Sequence, residues 1–432
     1  MIRPLYSLVM SGVQPFLRRK LRRRGVAEPG YLQHVDERFG VYPEHSDAGR
    51  IWIHAVSLGE TRAAAILLEQ LRAQQPAVRV LLTHGTATGR AEGERLLRPG
   101  DAQAWLPWDT PQAVRRFLQH FRPRIGVLME TEVWPNLAAG CVQHGVPLVL
   151  ANARLSDKSM RQALRLSQLS RPAYAALSAA WAQTADDAKR LTRVGASVTG
   201  VFGNLKFDAA PDAAQLAQGR AWRQRLGRPV VMFASSREGE EQAFFAVLAQ
   251  NRDLLQAGWA RRSTDAAASE VQWLVVPRHP QRFDEVVALA GEHGFTVSRR
   301  SAWTDEPQPG DIWIGDSLGE MALYYGLADA ALLGGSFEPL GGQNLIEGAA
   351  SGCPVVMGPH TFNFSDAAQL AQEAGAALRV ETMAEAVRTA VTLAADGQRH
   401  DEVAAAALAF AAAHRGAARQ TAAALLALVD RP

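Results

Sequence analysis

Cysteine is nearly absent from this chain of 432 residues. The two present, Cys141 and Cys353, sit beside apolar residues, which argues against a disulfide framework or a thiolate metal site and fits a reducing compartment. Neither CxxC nor HExxH occurs, and the 11 histidines form no spaced cluster, so no metal and no cofactor are expected. No G-x-G-x-x-G follows the first apolar strand, which disfavours a nicotinamide dehydrogenase. Acidic residues are missing from positions 1–24, where seven basic ones stand: Arg3, Arg18, Arg19, Lys20, Arg22, Arg23 and Arg24. The same segment holds an apolar run from Leu5 to Leu17, too short to span a bilayer comfortably and without a small-residue cleavage site after it. These features fit an amphipathic anchor followed by a polybasic patch at an anionic, cytoplasmic leaflet. The whole chain has a net charge of +3, so the part beyond this terminus is slightly acidic. No basic stripe with interleaved aromatics continues into it, and nucleic acid is not an expected partner.

Composition then sets the class. With 47% hydrophobic and 21% charged residues the chain is globular, and its length asks for two domains. Short β-rich runs alternate with Ala/Leu-rich stretches, the rhythm of doubly wound α/β sheets. Expected strands in the first half are Ile51 to Val56, Val78 to Thr83, Gln103 to Leu106, Ile125 to Glu130, Pro147 to Ala151, Ala179 to Gln183 and Ser197 to Val201. In the second half they are Val230 to Ala234, Gln272 to Val276, Thr296 to Ser298, Asp311 to Ile314, Ala330 to Leu333, Pro354 to Met357 and Ala377 to Val380. Helices are expected over Thr61 to Gln74 and Ser159 to Leu177. The stretch punctuated by Pro211, Gly219 and Gly227 lacks an apolar strand and reads as a linker. The expected division is a basic anchor over 1–24, a first Rossmann-like domain over 25–205, a linker over 206–227, a second Rossmann-like domain over 228–400 and C-terminal helices over 401–432.

Several strand-to-helix loops carry candidate chemistry. Gly334 to Asn344, GGSFEPLGGQN, crowds glycines before a helix, where backbone N–H groups and the helix dipole favour an anion. Asn344 and Glu347 also have the spacing of a capping box, a reading that needs no ligand. After the first strand, Ser57, Gly59 and Glu60 repeat that choice: the Ser/Glu pair can cap, or Glu60 can face a cleft at the strand's carboxyl end as a general base. Ser317 and Glu320 in GDSLGE share the spacing, so it carries little specificity alone. Glu130 and Glu132, in ETEVWPN, stand at another strand end beside Trp134, where two carboxylates can have their pKa values pushed apart. Lys206, Arg237, Arg278 and His279 supply positive charge suited to an anionic substrate.

Taken in order, these segments resemble the Kdo transferases, which move 3-deoxy-D-manno-oct-2-ulosonic acid from CMP-Kdo onto the lipid A precursor. The resemblance rests on HAVSLGE (His54 to Glu60), ETEVWPN (Glu130 to Asn136), NARLSDKS (Asn152 to Ser159), GNLKFD (Gly203 to Asp208), PRHPQRF (Pro277 to Phe283), GDSLGE (Gly315 to Glu320), GGSFEPLGGQN and GPHTFNF (Gly358 to Phe364). Where the family often has GGHNPLEP, this chain has Gln343, Leu345 and Gly348 in place of the His and both prolines. The resemblance implies a GT-B glycosyltransferase with two Rossmann-like domains facing a central cleft, an inverting transfer without metal, and attachment to the cytoplasmic face of the inner membrane. It implies Glu60 as general base, Glu130 or Glu132 as a second acid, and Ser57, Gly59, Arg154, Lys206, Arg278, His279, Gly335, Ser336, Gly342, Asn344 and Glu347 as substrate contacts. CMP-Kdo, the lipid A precursor and the anionic membrane surface are the implied partners. The alternatives are a GT-B enzyme using a UDP-sugar and another acceptor, or a non-catalytic membrane-associated binding protein.

Overall fold

The computed structural model describes residues 2–42, 46–250 and 271–430. The chain forms two compact units, Met1–Asp208 with His414–Pro432, and Ala209–Ala413. Each is built on a parallel sheet of seven strands. In the first unit these are β1 Ile51–His54, β2 Val80–His84, β3 Ala102–Trp105, β4 Ile125–Met129, β5 Leu148–Ala153, β6 Ala179–Ala182 and β7 Val198–Val201, in the order β3-β2-β1-β4-β5-β6-β7. In the second they are β8 Val230–Ser236, β9 Gln272–Pro277, β10 Val297–Arg299, β11 Ile312–Ile314, β12 Ala330–Leu333, β13 Val355–Met357 and β14 Ala377–Arg379, in the order β10-β11-β9-β8-β12-β13-β14. All fourteen runs read as strands from the sequence are strands.

The central strands are apolar without alternation because helices cover both faces. Trp52, Phe117, Leu128 and Leu150 pack on one face of the first sheet. On the other, Leu67 and Leu71 of the helix Leu58–Gln74 meet Leu425 and Val429 of the helix Ala417–Val429. Asp208 fastens that last helix to its unit, accepting hydrogen bonds from Gly416 N–H and, at 2.5 Å, from Ala418 N–H. The register pairs Ile51 with both Val80 and Ile125, so β1 lies where the strand order reverses, between β2 and β4. In the second sheet, Val231 pairs with Trp273 and Ala330, which places the corresponding reversal between β8 and β12. Loops leaving the carboxyl ends of strands at such a reversal diverge and leave a crevice for ligands.

Two expectations are corrected. The span 206–227 is not simply a linker, since Ala213–Leu226 is a helix of the second unit with Trp222 buried. Gly219 reads in the sequence as punctuation but is a contact: a Cβ there would stand 2.1 Å from Leu323 O, and one at Gly326 would stand 2.5 Å from Leu216 O. The helix expected over Ser159 to Leu177 breaks into Asp157–Arg165 and Ser167–Ala175 at Leu166. The N-terminal residues form the helices Ile2–Gly12 and Gln14–Ala27, and among the described residues no helix is long and apolar enough to cross a membrane.

Candidate active site

At the reversal of the first sheet, the loop after β1 turns into a helix through Ser57, whose Oγ accepts from Glu60 N–H at 3.3 Å. The Glu60 carboxylate returns along the same turn, accepting from Val56 N–H at 2.8 Å and from Ser57 Oγ at 3.1 Å. The capping role is therefore realised, and it fixes the orientation of a carboxylate at the strand end. Burial pushes the Glu60 pKa up to about 7, and the negative charges of Glu130 and Glu132 add to the rise against the hydrogen bond from Val56. Gly59 is exposed, and a Cβ on it would meet only Ser57 Oγ at 3.9 Å, so no packing demands a glycine.

The neighbouring strand β4 supplies the other acids. Glu130 follows it in a left-handed conformation, φ 58°, rare for a residue with a side chain and worth on the order of 1–3 kcal/mol of strain. Asn152 in β5 is also left-handed, φ 51°, and its Oδ1 accepts from Leu205 N–H at 3.0 Å. Beside these two residues the Glu130 carboxylate meets Arg154 Nε at 2.7 Å and Lys206 Nζ at 3.8 Å. Lys206, read in the sequence as a donor contact after the first domain, thus belongs to the first unit's acidic cluster. Glu132 accepts from Trp134 Nε1 at 2.9 Å, and burial raises its pKa, with Glu130 adding to the effect. Trp134 does not fill core, being 38% exposed.

At the reversal of the second sheet the glycine-rich turn after β12 is tightly committed. Gly335 N–H donates to Glu240 at 2.7 Å, and Ser336, fully buried, bridges loops by donating to Leu333 O and accepting from Gly358 N–H at 2.8 Å. Gly342, in the left-handed region, closes the turn onto Gly335 O. Asn344 Oδ1 accepts from Ile346 N–H at 3.1 Å while its Nδ2 donates to Glu347 at 3.0 Å, so this pair also caps its short helix. Arg278 Nε donates to Gln343 Oε1 at 3.2 Å, which gives the residue standing in place of the family's His a defined acceptor role. Burial lowers the His279 pKa, and the positive charges of Arg237 and Arg278 add to the fall. The first unit therefore gathers acids, and the second gathers Arg237, Arg278 and His279 near a tightly bonded glycine turn.

Two residues escape the sequence reading. Asp109 accepts from Tyr6 OH at 2.9 Å, from Asn136 N–H at 3.0 Å and from Leu137 N–H at 2.7 Å, which ties the N-terminal helix to the helix that follows Trp134. Glu240, in ASSREGEE, resembles any solvated acid at a helix start, yet it is completely buried.

A family model described as 3-deoxy-D-manno-octulosonic-acid transferase (kdotransferase) matches residues 33–209. The 3-deoxy-D-manno-octulosonic acid transferase of Bordetella pertussis is 47% identical over 429 residues, covering 97% of each chain. That of Haemophilus influenzae is 32% identical over 399 residues, covering 90% of each. Among solved structures, a UDP-GlcNAc 2-epimerase from Neisseria meningitidis covers 88% of this chain at TM-score 0.54 and 12% identity, with all of its own length matched. A glycosyltransferase from Rickettsia africae covers 88% of this chain and 98% of its own at TM-score 0.54 and 11% identity. These distant likenesses speak for the fold, two parallel sheets in a GT-B-like chain, and an epimerase shares it as readily as a transferase. The long-range identity to the Bordetella and Haemophilus proteins decides the matter: this chain belongs to the 3-deoxy-D-manno-octulosonic acid transferase family and is a glycosyltransferase.

Proposed function

We propose that this enzyme transfers Kdo from CMP-Kdo to a primary hydroxyl of the lipid A precursor, with inversion at the anomeric carbon and Glu60 as the base. The observation that carries this reading is the Glu60 carboxylate, oriented by Val56 N–H and Ser57 at the strand end and with a pKa of about 7. A base is most effective when its pKa lies near the working pH, because it is then both ionised and able to hold the proton it takes. In the reaction, the acceptor O–H loses its proton to Glu60, the oxygen forms a bond to the anomeric carbon, and the bond from that carbon to the phosphate oxygen breaks. CMP leaves as an anion, and the sugar passes through an oxocarbenium-like state. Arg278, with Arg237 beside it, supports an anionic leaving group, while Glu130 and Glu132, supported by Arg154 and Lys206, act on the acceptor side.

The N-terminal helices support a place on the cytoplasmic face of the inner membrane. Leu5, Leu8, Val9 and Phe16 are all more than half exposed, with the run of arginines beside them. Incubation with CMP-Kdo and purified lipid A precursor, with products weighed by mass spectrometry, tests the reading. Addition of Kdo with release of CMP is expected; release of UDP from a UDP-sugar, with CMP-Kdo untouched, would sink it.

A further inference from the structure

In the second unit one carboxylate lies behind two loops. Glu240 begins the helix Glu240–Gln250 and is completely inaccessible. Its Oε2 accepts from Arg237 N–H at 2.9 Å and from Gly335 N–H at 2.7 Å, and its Oε1 accepts from Phe337 N–H at 3.0 Å. Arg237 belongs to the loop after β8, and Gly335 and Phe337 belong to the loop after β12, the two strands that flank the reversal of the sheet. The linkage continues in a ring: Arg278 N–H donates to Ser236 O at 3.0 Å, Arg278 Nε donates to Gln343, and Gln343 N–H returns to Gly334 O at 3.0 Å. The turn after β12 also lies close against β8, since a Cβ on Gly334 would stand 2.1 Å from Ser235 O.

A buried carboxylate without partners is costly, and three backbone donors are what make this one tolerable. Once those donors are committed, the turn Gly335–Phe337 and the backbone of Arg237 have one geometry relative to each other. We propose that Glu240 is a positioning residue for donor binding, locking the loops after β8 and β12 in the arrangement that presents Arg237, Arg278 and the glycine turn to the nucleotide. The inference rests on the reading that the second unit holds CMP-Kdo. Glu240 touches no substrate; it acts through the loops it pins.

The test is steady-state transfer with full-length wild type, Glu240→Gln and a core control, Val286→Ala, each also followed by thermal melting. Val286 is fully buried in another helix, so its truncation lowers stability without touching the ring. The amide keeps one acceptor oxygen and turns an N–H₂ toward a backbone donor, so the donor KM of Glu240→Gln should rise about tenfold, with kcat changed less than about threefold. Val286→Ala should melt lower with an unchanged donor KM. If Glu240→Gln does not fold, Glu240→Asp, which keeps the charge but shortens its reach, should show the same rise in KM. A donor KM that moves no more than in Val286→Ala, or a loss confined to kcat, would overturn the proposal. Wild type that fails to release CMP from CMP-Kdo would instead overturn the donor reading, and this proposal with it.

Discussion

Glu60 Oε2 lies 2.8 Å from the backbone nitrogen of Val56, four residues before it, so the carboxylate is held by the very loop that carries it out of β1. This geometry separates orientation from charge. Gln at this position can still accept from Val56 N–H through its amide oxygen, but it cannot take a proton. Glu60→Gln should therefore leave binding of CMP-Kdo almost intact while lowering kcat by about 10²–10⁴-fold, the ordinary worth of a general base. Calorimetric binding together with single-turnover kinetics checks both halves, and a variant that keeps wild-type turnover would remove Glu60 from the base role.

The elevated Glu60 pKa has two signatures in pH. For catalysis, the ionised form is the active one, so kcat/KM should climb with pH and level off above about 7, and this limb should vanish in Glu60→Gln. For stability the sign is opposite. The folded pKa stands above the unfolded value of 4.5, so between about 4.5 and about 7 the native state retains a proton that the unfolded chain has released. Stability from this group is complete below that window and lost above it. Denaturant unfolding at about pH 5 and about pH 8 should therefore show Glu60→Gln gaining on wild type as pH rises. A constant difference between the two proteins across that range would contradict the assigned shift.

Much of this was legible in the sequence, and for physical reasons. The strands of a doubly covered parallel sheet are continuous apolar runs, so β1, β4, β8 and β12 announce themselves, and the loops after them follow. The Ser57/Glu60 and Asn344/Glu347 spacings identified caps that do form. What one-dimensional reading cannot supply is which side of a loop is buried. Glu240 and Glu241 are both fully buried, although two adjacent acids beginning a helix ordinarily point to water. Lys206 lies far from Glu130 in sequence and meets it in the fold, next to the Leu205 N–H that Asn152 Oδ1 accepts. The left-handed backbone of Glu130 had no signal either, since that conformation is normally left to Gly or Asn.

Gly219 was the clearest misreading, and it leads to a stability prediction. In an isolated helix, Gly→Ala gains up to about 1 kcal/mol. Here the new methyl group would be driven to 2.1 Å from Leu323 O, a backbone atom that cannot rotate aside. Overpacking of this kind costs about 1–3 kcal/mol, so the clash should outweigh the propensity. Gly219→Ala is expected to lower Tm by several degrees, at about 2–4 °C per kcal/mol for a unit of this size. A Tm at or above that of wild type would mean that the helices Ala213–Leu226 and Met321–Leu327 do not pack as described.

The N-terminal helix turns Tyr6 and Ser7 toward the protein and leaves apolar side chains outside. Tyr6 OH reaches Asp109 and Ser7 Oγ reaches Asn136, each at 2.9 Å, while Leu5, Leu8 and Val9 are 61%, 71% and 53% exposed. Water is a poor partner for such a face, and a lipid surface a good one. Fully burying one such side chain gains about 1.5–3 kcal/mol, so even shallow insertion of three is worth more than the roughly 1.4 kcal/mol that changes affinity tenfold. Replacing Leu5, Leu8 and Val9 together by Gln should thus weaken sedimentation with anionic vesicles by at least about tenfold, while Tm stays within about a degree because the removed groups support no core. The binding that remains should come from the arginines of the second helix and should fall as salt is added, because screening acts on their attraction to anionic headgroups. Unchanged sedimentation of the triple variant would show that this face is not inserted and that charge alone holds the enzyme at the surface.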